Sequence, residues 1–365
     1  MARALSWQGI ECRVVERDTG PWREGLALNL PGNALAVLRE LGSAEPVLEA
    51  GVPVRRREYR TSAGRLLFAV DEASFWSGVA PSVCVRHGVV LDALASGVPV
   101  ERGLAVTSAD QQPDGRVLVS LSDGTQDLVD LVVAADGVHS TLRSLVAPSA
   151  PRPSLMTSAS WRFVTTNPGI DCWTVWTGAG LAFLLIPVAP GQVYAYASSS
   201  RGSGAGDDPS WLADAYAGFP GPVSHVIRQV LSSGTPPFHA PVEEVRIPAW
   251  HRGSLVLLGD AAHATGPVWA QGAGMALEDA VVLADLLASH EDWSGVGRAW
   301  EAVRRPRVEH VQAATDRLSR LAGLPSWLAH TLAPVAGPRA YRAAYGPLRT
   351  PVAGVRSPGA RVGRG

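Results

Sequence analysis

The chain has 365 residues, 46% of them hydrophobic, and a formal net charge of −1 at pH 7, enough for one large or two ordinary domains with a real core. No basic or acidic tract dominates, which argues against nucleic acid as the main partner, and no apolar run or amino-terminal pattern predicts a membrane span or a secretory leader. Cys12, Cys84 and Cys172 are odd in number and far apart; they fit neither a disulfide framework nor a metal cluster, so a cytoplasmic protein is expected.

Residues 1–9 read as the second half of a helix ending at Gly9 as its left-handed cap. Ile10–Glu16 then alternates as a strand, with Ile10, Cys12 and Val14 on one face and Glu16 at the end. After a loop containing Arg23, Pro31-Gly32-Asn33 opens a helix over Ala34–Leu41 that Gly42 closes. Taken alone, Arg23 beside Trp22 and Glu24 reads equally as a surface ion pair. Two short strands between Val54 and Val70 flank a turn at Ser62-Ala63-Gly64, and Arg55-Arg56-Arg57 reads as the solvated side of an edge strand. Ser82–Val85 is a further strand, followed by Arg86 and a helix bearing Val90, Leu91 and Leu94. Val117–Leu121 and Leu128–Ala135 frame a hairpin turn at Ser122–Thr125. The second of them runs into Asp136-Gly137, and Arg143 follows on a helix.

Residues 150–250 change character. Trp161, Phe163, Trp173, Trp176, Phe183, Tyr194 and Tyr196 sit on alternating runs, which predicts an antiparallel sheet with large rings on one face. Helices over Trp211–Phe219 and Val223–Leu231 are expected to cover it, and the lone His225 and His239 read as surface or structural. Leu255–Leu258 is an unbroken apolar run that stops at Gly259-Asp260, as a parallel strand buried on both faces does at a ligand edge. An acid there can accept hydrogen bonds from ligand hydroxyls in the crevice. Leu277, Ala280, Val281, Ala284 and Leu287 recur at helical spacing with Glu278, Asp279 and Asp285 turned elsewhere. Gln271-Gly272-Ala273-Gly274 brings backbone N–H groups to that helix start, a site that favours negative charge. Trp293–Leu321 is a long helical region interrupted at Pro306, and residues 349–365 are expected to be a disordered tail.

In order, Gly259, Asp260, Ala261, Ala262, His263, Pro267, Gln271, Gly272, Glu278, Asp279 and Ala280 resemble the second FAD-binding motif of the aromatic-hydroxylase flavoproteins, the p-hydroxybenzoate hydroxylase type of FAD-dependent monooxygenase. Ala270 departs from that motif where a Gly is usual, and Gly274 where an Asn is common. Asp130–Gly137 resembles the family's Asp-Gly motif, which serves both FAD and NAD(P)H, and Gly9–Asp18 resembles its second strand. The resemblance implies that Asp260 binds the ribityl chain and that Pro267–Gly272 lies against the flavin ring. It implies that Glu16 holds the adenosine ribose, that Arg23 and Arg86 approach the cofactor, and that Asp136, Gly137 and Arg143 form the Asp-Gly site. Gly259, Pro267, Gln271, Gly272, Ala273 and Gly274 complete the cofactor set. Such a ribose acid lies about 20 residues after a glycine fingerprint. The expectation is therefore that the reading frame starts upstream, adding a buried strand and a G-x-G-x-x-G run.

The implied fold is α/β: a doubly wound, glutathione-reductase-like FAD-binding domain over residues 1–150 and 251–348, with accessory strands in part of 50–85, and an inserted antiparallel substrate sheet over 151–250. The implied activity is hydroxylation of an aromatic or other electron-rich small molecule by O₂. FAD is the cofactor, NADH or NADPH the co-substrate, and a flavin C4a-hydroperoxide the oxidant, in a monomer or homodimer. Trp176 and Tyr194 are the candidates for the substrate pocket. A flavin-dependent reductase or halogenase on the same fold, or a truncated flavin-free relative that only binds a ligand, stays open as an alternative.

Overall fold

A computed structural model describes residues 1–20, 26–199, 208–322 and 326–352. The apolar run near residue 255 becomes the strand Leu255–Leu257, buried along its length, and it pairs in parallel with Val132–Ala134, Ala134 opposite Leu257. Parallel pairing aligns the carboxyl ends of the two strands, so the residues that follow, Asp136 and Gly259, emerge side by side. The helix Gly272–Ser289 packs against the helices Gly32–Glu40 and Val296–Ala322 and buries Leu277, Ala280, Val281, Ala284 and Leu287 in the main core. The helix Ala2–Trp7 ends as expected, with Gly9 at φ +72°.

A seven-stranded sheet forms the second layer of the molecule, and alternation gives it two distinct apolar faces. One face carries Trp161, Phe163, Trp176, Phe183 and Leu185 and is covered by the helices Trp211–Ala215 and Gly221–Ser232 through Leu212, Tyr216, Val223 and Ile227. The other carries Trp173, Val175, Ile186, Val188 and Tyr194 and meets Ala27, Val54 and Cys84. Ala27 and Cys84 belong to the small sheet of Ala27–Leu30, Val52–Pro53 and Val83–Arg86.

Several sequence expectations change at this level. Arg56–Thr61 is not an edge strand: it lies inside the large sheet, parallel to Trp173–Gly178 and antiparallel to Leu66–Asp71. The large sheet therefore draws on residues before 151. Arg57 is not solvated but buried. It is ion-paired with buried Glu72 and surrounded by the rings of Trp173, Tyr341 and Tyr345. Burial alone would lower its guanidinium; Glu72 and the neighbouring tyrosines hold it well above the ordinary value instead. The run 128–135 splits into Gln126–Val129 and Val132–Ala134, which join different sheets. Of the strand expected over Ile10–Glu16, only Val15–Glu16 pairs, in parallel with Glu101–Arg102. Pro306 does not interrupt the helix Val296–Ala322. The lost N–H there is offset by Arg304, Arg305 and Arg307, which bond to Glu278, Asp279 and Glu301 on both sides of the proline. At the carboxyl end Leu348 and Val352 are buried, so packing continues past residue 349, and residues 353–365 lie outside those described.

Candidate active site

Two loops meet where the parallel strands end. Gly259 takes φ +61° and ψ −134°, a conformation open essentially to glycine, and a Cβ there would stand 3.0 Å from Ala276 Cβ. That conformation turns the chain sharply, so Asp260 is presented at the crevice. Asp260 is exposed at the crevice, and its carboxylate accepts no hydrogen bond from any described residue. Desolvation raises it above the usual carboxylate range, Asp279 adds to that, and His263 and Arg143 pull the other way. A partly desolvated carboxylate without a donor is suited to accept hydrogen bonds from a ligand. Gly272 lies against it, since a Cβ on Gly272 would stand 3.9 Å from Asp260 Oδ1. The first N–H groups of the helix Gly272–Ser289 have no intrahelical acceptor, and they point their partial positive charge into the same space.

Arg143 joins the two loops. It is buried, and Nε donates to the Ala261 carbonyl at 2.8 Å while Nη2 reaches the carbonyls of Gly137 at 3.3 Å and Asp260 at 3.4 Å. Burial lowers its guanidinium below the ordinary value against the pull of Asp136 and Asp260. Asp136 is committed locally: its Oδ2 accepts from Thr141 N at 2.8 Å and from Leu142 N at 3.4 Å. It therefore shapes the loop whose next residue, Gly137, has φ +80°.

Below the loops lies a charged cluster invisible in the helix pattern. Glu278 and Asp279 were expected to face away from the core; both are buried, because the neighbouring helix supplies Arg304 and Arg307. Asp279 Oδ1 accepts from Arg304 Nε at 2.7 Å, and Oδ2 accepts from His263 Nε2 at 2.7 Å and Gly259 N at 3.1 Å. Burial alone would raise that carboxyl; His263 and Arg304 overcome it and hold it down at about 2. Glu278 accepts from Arg304, from both Arg307 Nε and Nη2, and from Asn33 Nδ2.

Asn33, which the sequence offered only as a helix opener, proves central. Its amide pairs reciprocally with the Gln271 amide at 3.0 and 3.1 Å. The Gln271 side chain is thus tied down, leaving the backbone of Gln271–Gly274 to face a ligand. The pair also explains Gly274, where a Cβ would stand 3.0 Å from Gln271 Oε1 and 3.3 Å from Asn33 Nδ2. Ala270 is held at φ +51°, left-handed, at the end of the short 3₁₀ turn Pro267–Trp269. The Trp269 carbonyl accepts from Tyr345 Oη at 2.5 Å, and Tyr345 Oη accepts from Arg57 at 3.1 Å.

The remaining predicted residues separate. Glu16 ends the paired segment Val15–Glu16, its Oε1 accepting from Asp18 N at 2.9 Å, with no bond to the two loops among the described residues. Arg23 lies outside the described residues. Arg86 closes its strand and donates to Gln192 Oε1 at 2.8 Å, linking the small sheet to the large one. Trp176 lies in the apolar cluster under the helices Trp211–Ala215 and Gly221–Ser232, on the face of the sheet turned away from Ala27 and Cys84. Tyr194 lies on the opposite face, with its phenol raised well above the ordinary value by burial. A separate cavity of about 460 Å³ is lined by Val245, Arg246, Trp250, His263, Arg305 and Gln312, and by none of Asp136, Asp260 or Gly272. Its arginines are already paired, Arg246 with Glu244 and Asp316, and Arg305 with Glu301.

The chain is similar to known proteins along most of its length. The profile of the FAD binding domain family matches residues 1–317. The chain is 31% identical over 332 residues to aurachin C monooxygenase/isomerase of Stigmatella aurantiaca, covering 87% of this chain and 85% of that protein. It is 32% identical over 353 residues to 2-heptyl-3-hydroxy-4(1H)-quinolone synthase of Pseudomonas aeruginosa strain UCBPP-PA14, covering 91% and 90%. Among solved structures, HpxO of Klebsiella pneumoniae complexed with FAD and uric acid superposes with a TM-score of 0.79 at 26% identity, covering 95% of this chain and 89% of that one.

Proposed function

This chain belongs to the family of FAD-dependent aromatic hydroxylases and monooxygenases, and from that premise we propose that it consumes NADH or NADPH and O₂ to hydroxylate an aromatic or other electron-rich small molecule. The observation that carries this reading is the pairing of Asp260 with the Asp136-Gly137 loop at the ends of two adjacent parallel strands, clamped by Arg143. It supports a doubly wound FAD-binding domain whose crevice opens at the strand ends, with the large sheet inserted as the substrate layer.

The residues present fit FAD. An exposed carboxylate without a protein donor, Asp260, suits the ribityl hydroxyls, and the glycines at 259 and 272 leave room for close approach. Bound FAD, once reduced, supplies the activated oxygen; everything else falls to the protein. Asp260 orients the ribityl chain. The N–H groups at the start of the helix Gly272–Ser289 stabilise negative charge on the ring. Asn33 and Gln271 hold those donors in place through their buried amide pair. In this reading the sheet face bearing Tyr194, which packs against Ala27, Val54 and Cys84, is the one that excludes water from the reaction.

The test is direct. Purified protein should be yellow with bound FAD and should oxidise NADH or NADPH faster when an aromatic substrate is present. Labelled O₂ should deliver one labelled oxygen to the product. Steady NAD(P)H oxidation with no label in any product would remove the hydroxylase reading.

A further inference from the structure

The small sheet turns one asparagine toward the large sheet and gives its amide nothing to bond. Along Ala27–Leu30 the side chains alternate: Leu28 and Leu30 pack into the main core, while Ala27 joins the apolar cluster between the two sheets. By the same alternation Asn29 shares the face of Ala27. The ladder agrees. Asn29 stands opposite Cys84 and Ala27 opposite Arg86; Cys84 belongs to that cluster with Tyr194, and Arg86 reaches across to Gln192 of the large sheet. Both the oxygen and the nitrogen of the Asn29 amide are sealed from solvent, and neither has a hydrogen-bond partner among the described residues. Asn33 shows the contrast: its amide nitrogen donates to Gln271 and Glu278, and its oxygen accepts from Gln271. A buried amide that meets no partner costs free energy that the polar groups of a ligand recover.

We propose that Asn29 reads a lactam edge, an N–H and a C=O on neighbouring ring atoms, brought into the layer between the two sheets. A primary amide offers an acceptor and a donor side by side, so its complement is a neutral group with a donor and an acceptor at the same spacing. A cyclic amide has both, and meets Asn29 through two parallel hydrogen bonds as Gln271 meets Asn33. An anion would answer the Asn29 nitrogen and leave the oxygen unmatched. The cluster on this face, with Ala27, Val54, Cys84, Ile186 and Val188, is apolar; such surroundings strengthen the pair. On the hydroxylase reading, which this inference rests on, the lactam belongs to the substrate, a neutral heteroaromatic ring. The pyrimidine ring of a flavin carries the same N–H and C=O edge, so the experiment separates the two sources.

Calorimetric titrations into the FAD-saturated protein compare 2(1H)-quinolinone with its N-methyl derivative, and 1(2H)-isoquinolinone with its own. Each methyl removes the N–H and keeps the carbonyl. The N–H member of at least one pair should bind about tenfold tighter or more. Asn29→Leu, nearly the same size, should erase that preference, and Asn29→Ser should keep part of it. A second series titrates FAD and 3-methyl-FAD into protein stripped of flavin. An Asn29-dependent N–H preference in the first series makes the substrate the source of the lactam; one confined to the second makes it the flavin. The urea midpoint of unliganded Asn29→Leu should stay level or rise, because the change removes polar atoms that have no partner. A lowered midpoint shows that the protein itself uses the amide and overturns the assignment, as does the lack of an Asn29-dependent preference in both series. The two readings fail separately. A protein that puts labelled oxygen into a product without such a preference refutes the lactam edge alone. An Asn29-dependent preference in a protein whose products carry no label refutes the hydroxylase alone.

Discussion

His263 Nε2 donates to Asp279 Oδ2 at 2.7 Å, with both side chains buried. The same oxygen takes the Gly259 N–H, so one carboxylate fixes the imidazole and the turn that presents Asp260. On the other oxygen, Arg304 ties this arrangement to the helix Val296–Ala322.

Asp279 should therefore carry an acid-dependent part of the stability. Its folded pKa of about 2 lies below the roughly 3.9 of an unfolded Asp. A depressed carboxylate contributes fully above the unfolded value and loses that contribution as pH falls through the folded one. Stability should then decline between about pH 5 and pH 2, by on the order of 2 kcal/mol from this group. Asp279→Asn should cost about 3–5 kcal/mol at pH 7, because buried His263 loses its carboxylate and Arg304 keeps only Glu278. Urea unfolding of both proteins from pH 7 to pH 3 decides it: the variant should lack part of the parent's acid slope, and an unchanged slope assigns it to other groups.

Ala270 carries the second prediction. A left-handed backbone costs an L-residue about 1–2 kcal/mol, while glycine adds unfolded-state freedom worth about 0.4–1 kcal/mol. The first effect is larger, so Ala270→Gly should stabilise by about 0.5–1 kcal/mol in urea unfolding. Ala273→Gly, inside the helix Gly272–Ser289, should destabilise by a similar amount. Two glycine substitutions of equal sign would mean that the loop's conformation, not its residue, sets the strain.

Much of this site was legible locally. An apolar run that stops at Gly-Asp announces a buried strand ending at a crevice, and the strands at 132 and 255 appeared where expected. What escaped was pairing between distant segments. Arg57 looked solvated because its neighbours in sequence are arginines, whereas Tyr345, its hydrogen-bond partner, is 288 residues away. Glu278 and Asp279 looked exposed because a helical pattern cannot register the arginines of the next helix. Alternation showed that Trp176 and Tyr194 lie on strands, but two faces of one sheet differ only in what covers them, and the covering helices are remote in sequence.

Asp260 and Asp136 should separate in the third prediction, because one carboxylate is free and the other is committed. Asp260→Ala should lower the flavin-to-protein ratio several-fold with little loss of stability, since no protein donor is left unpaired. Asp136→Ala leaves the N–H groups of Thr141 and Leu142 without their acceptor. It should cost about 1–2 kcal/mol and lower FAD content less. Flavin absorbance on purified protein and a urea midpoint for each variant give both readouts. Equal FAD content in parent and Asp260→Ala removes the ribityl role.

The last prediction sets Trp176 against Tyr194. Trp176 packs with Trp161, Phe183 and the covering helices, on the face opposite Tyr194. Trp176→Ala leaves a large hole in that cluster and should cost about 3–5 kcal/mol. What survives folded should still couple NAD(P)H oxidation to product, because nothing has changed on the inner face. Tyr194 packs against Ile186 and Cys84 on the other face, so under the proposed function Tyr194→Ala should open the inner face and admit water. That variant should keep its FAD, consume NAD(P)H, and release hydrogen peroxide in place of product, while Tyr194→Phe, which fills the same volume, should recover most of the coupling. Peroxide yield per NAD(P)H, measured with any accepted substrate beside urea midpoints, gives opposite patterns for the two positions. Uncoupling by Trp176→Ala with full coupling in Tyr194→Ala would place the substrate on the outer face of the sheet.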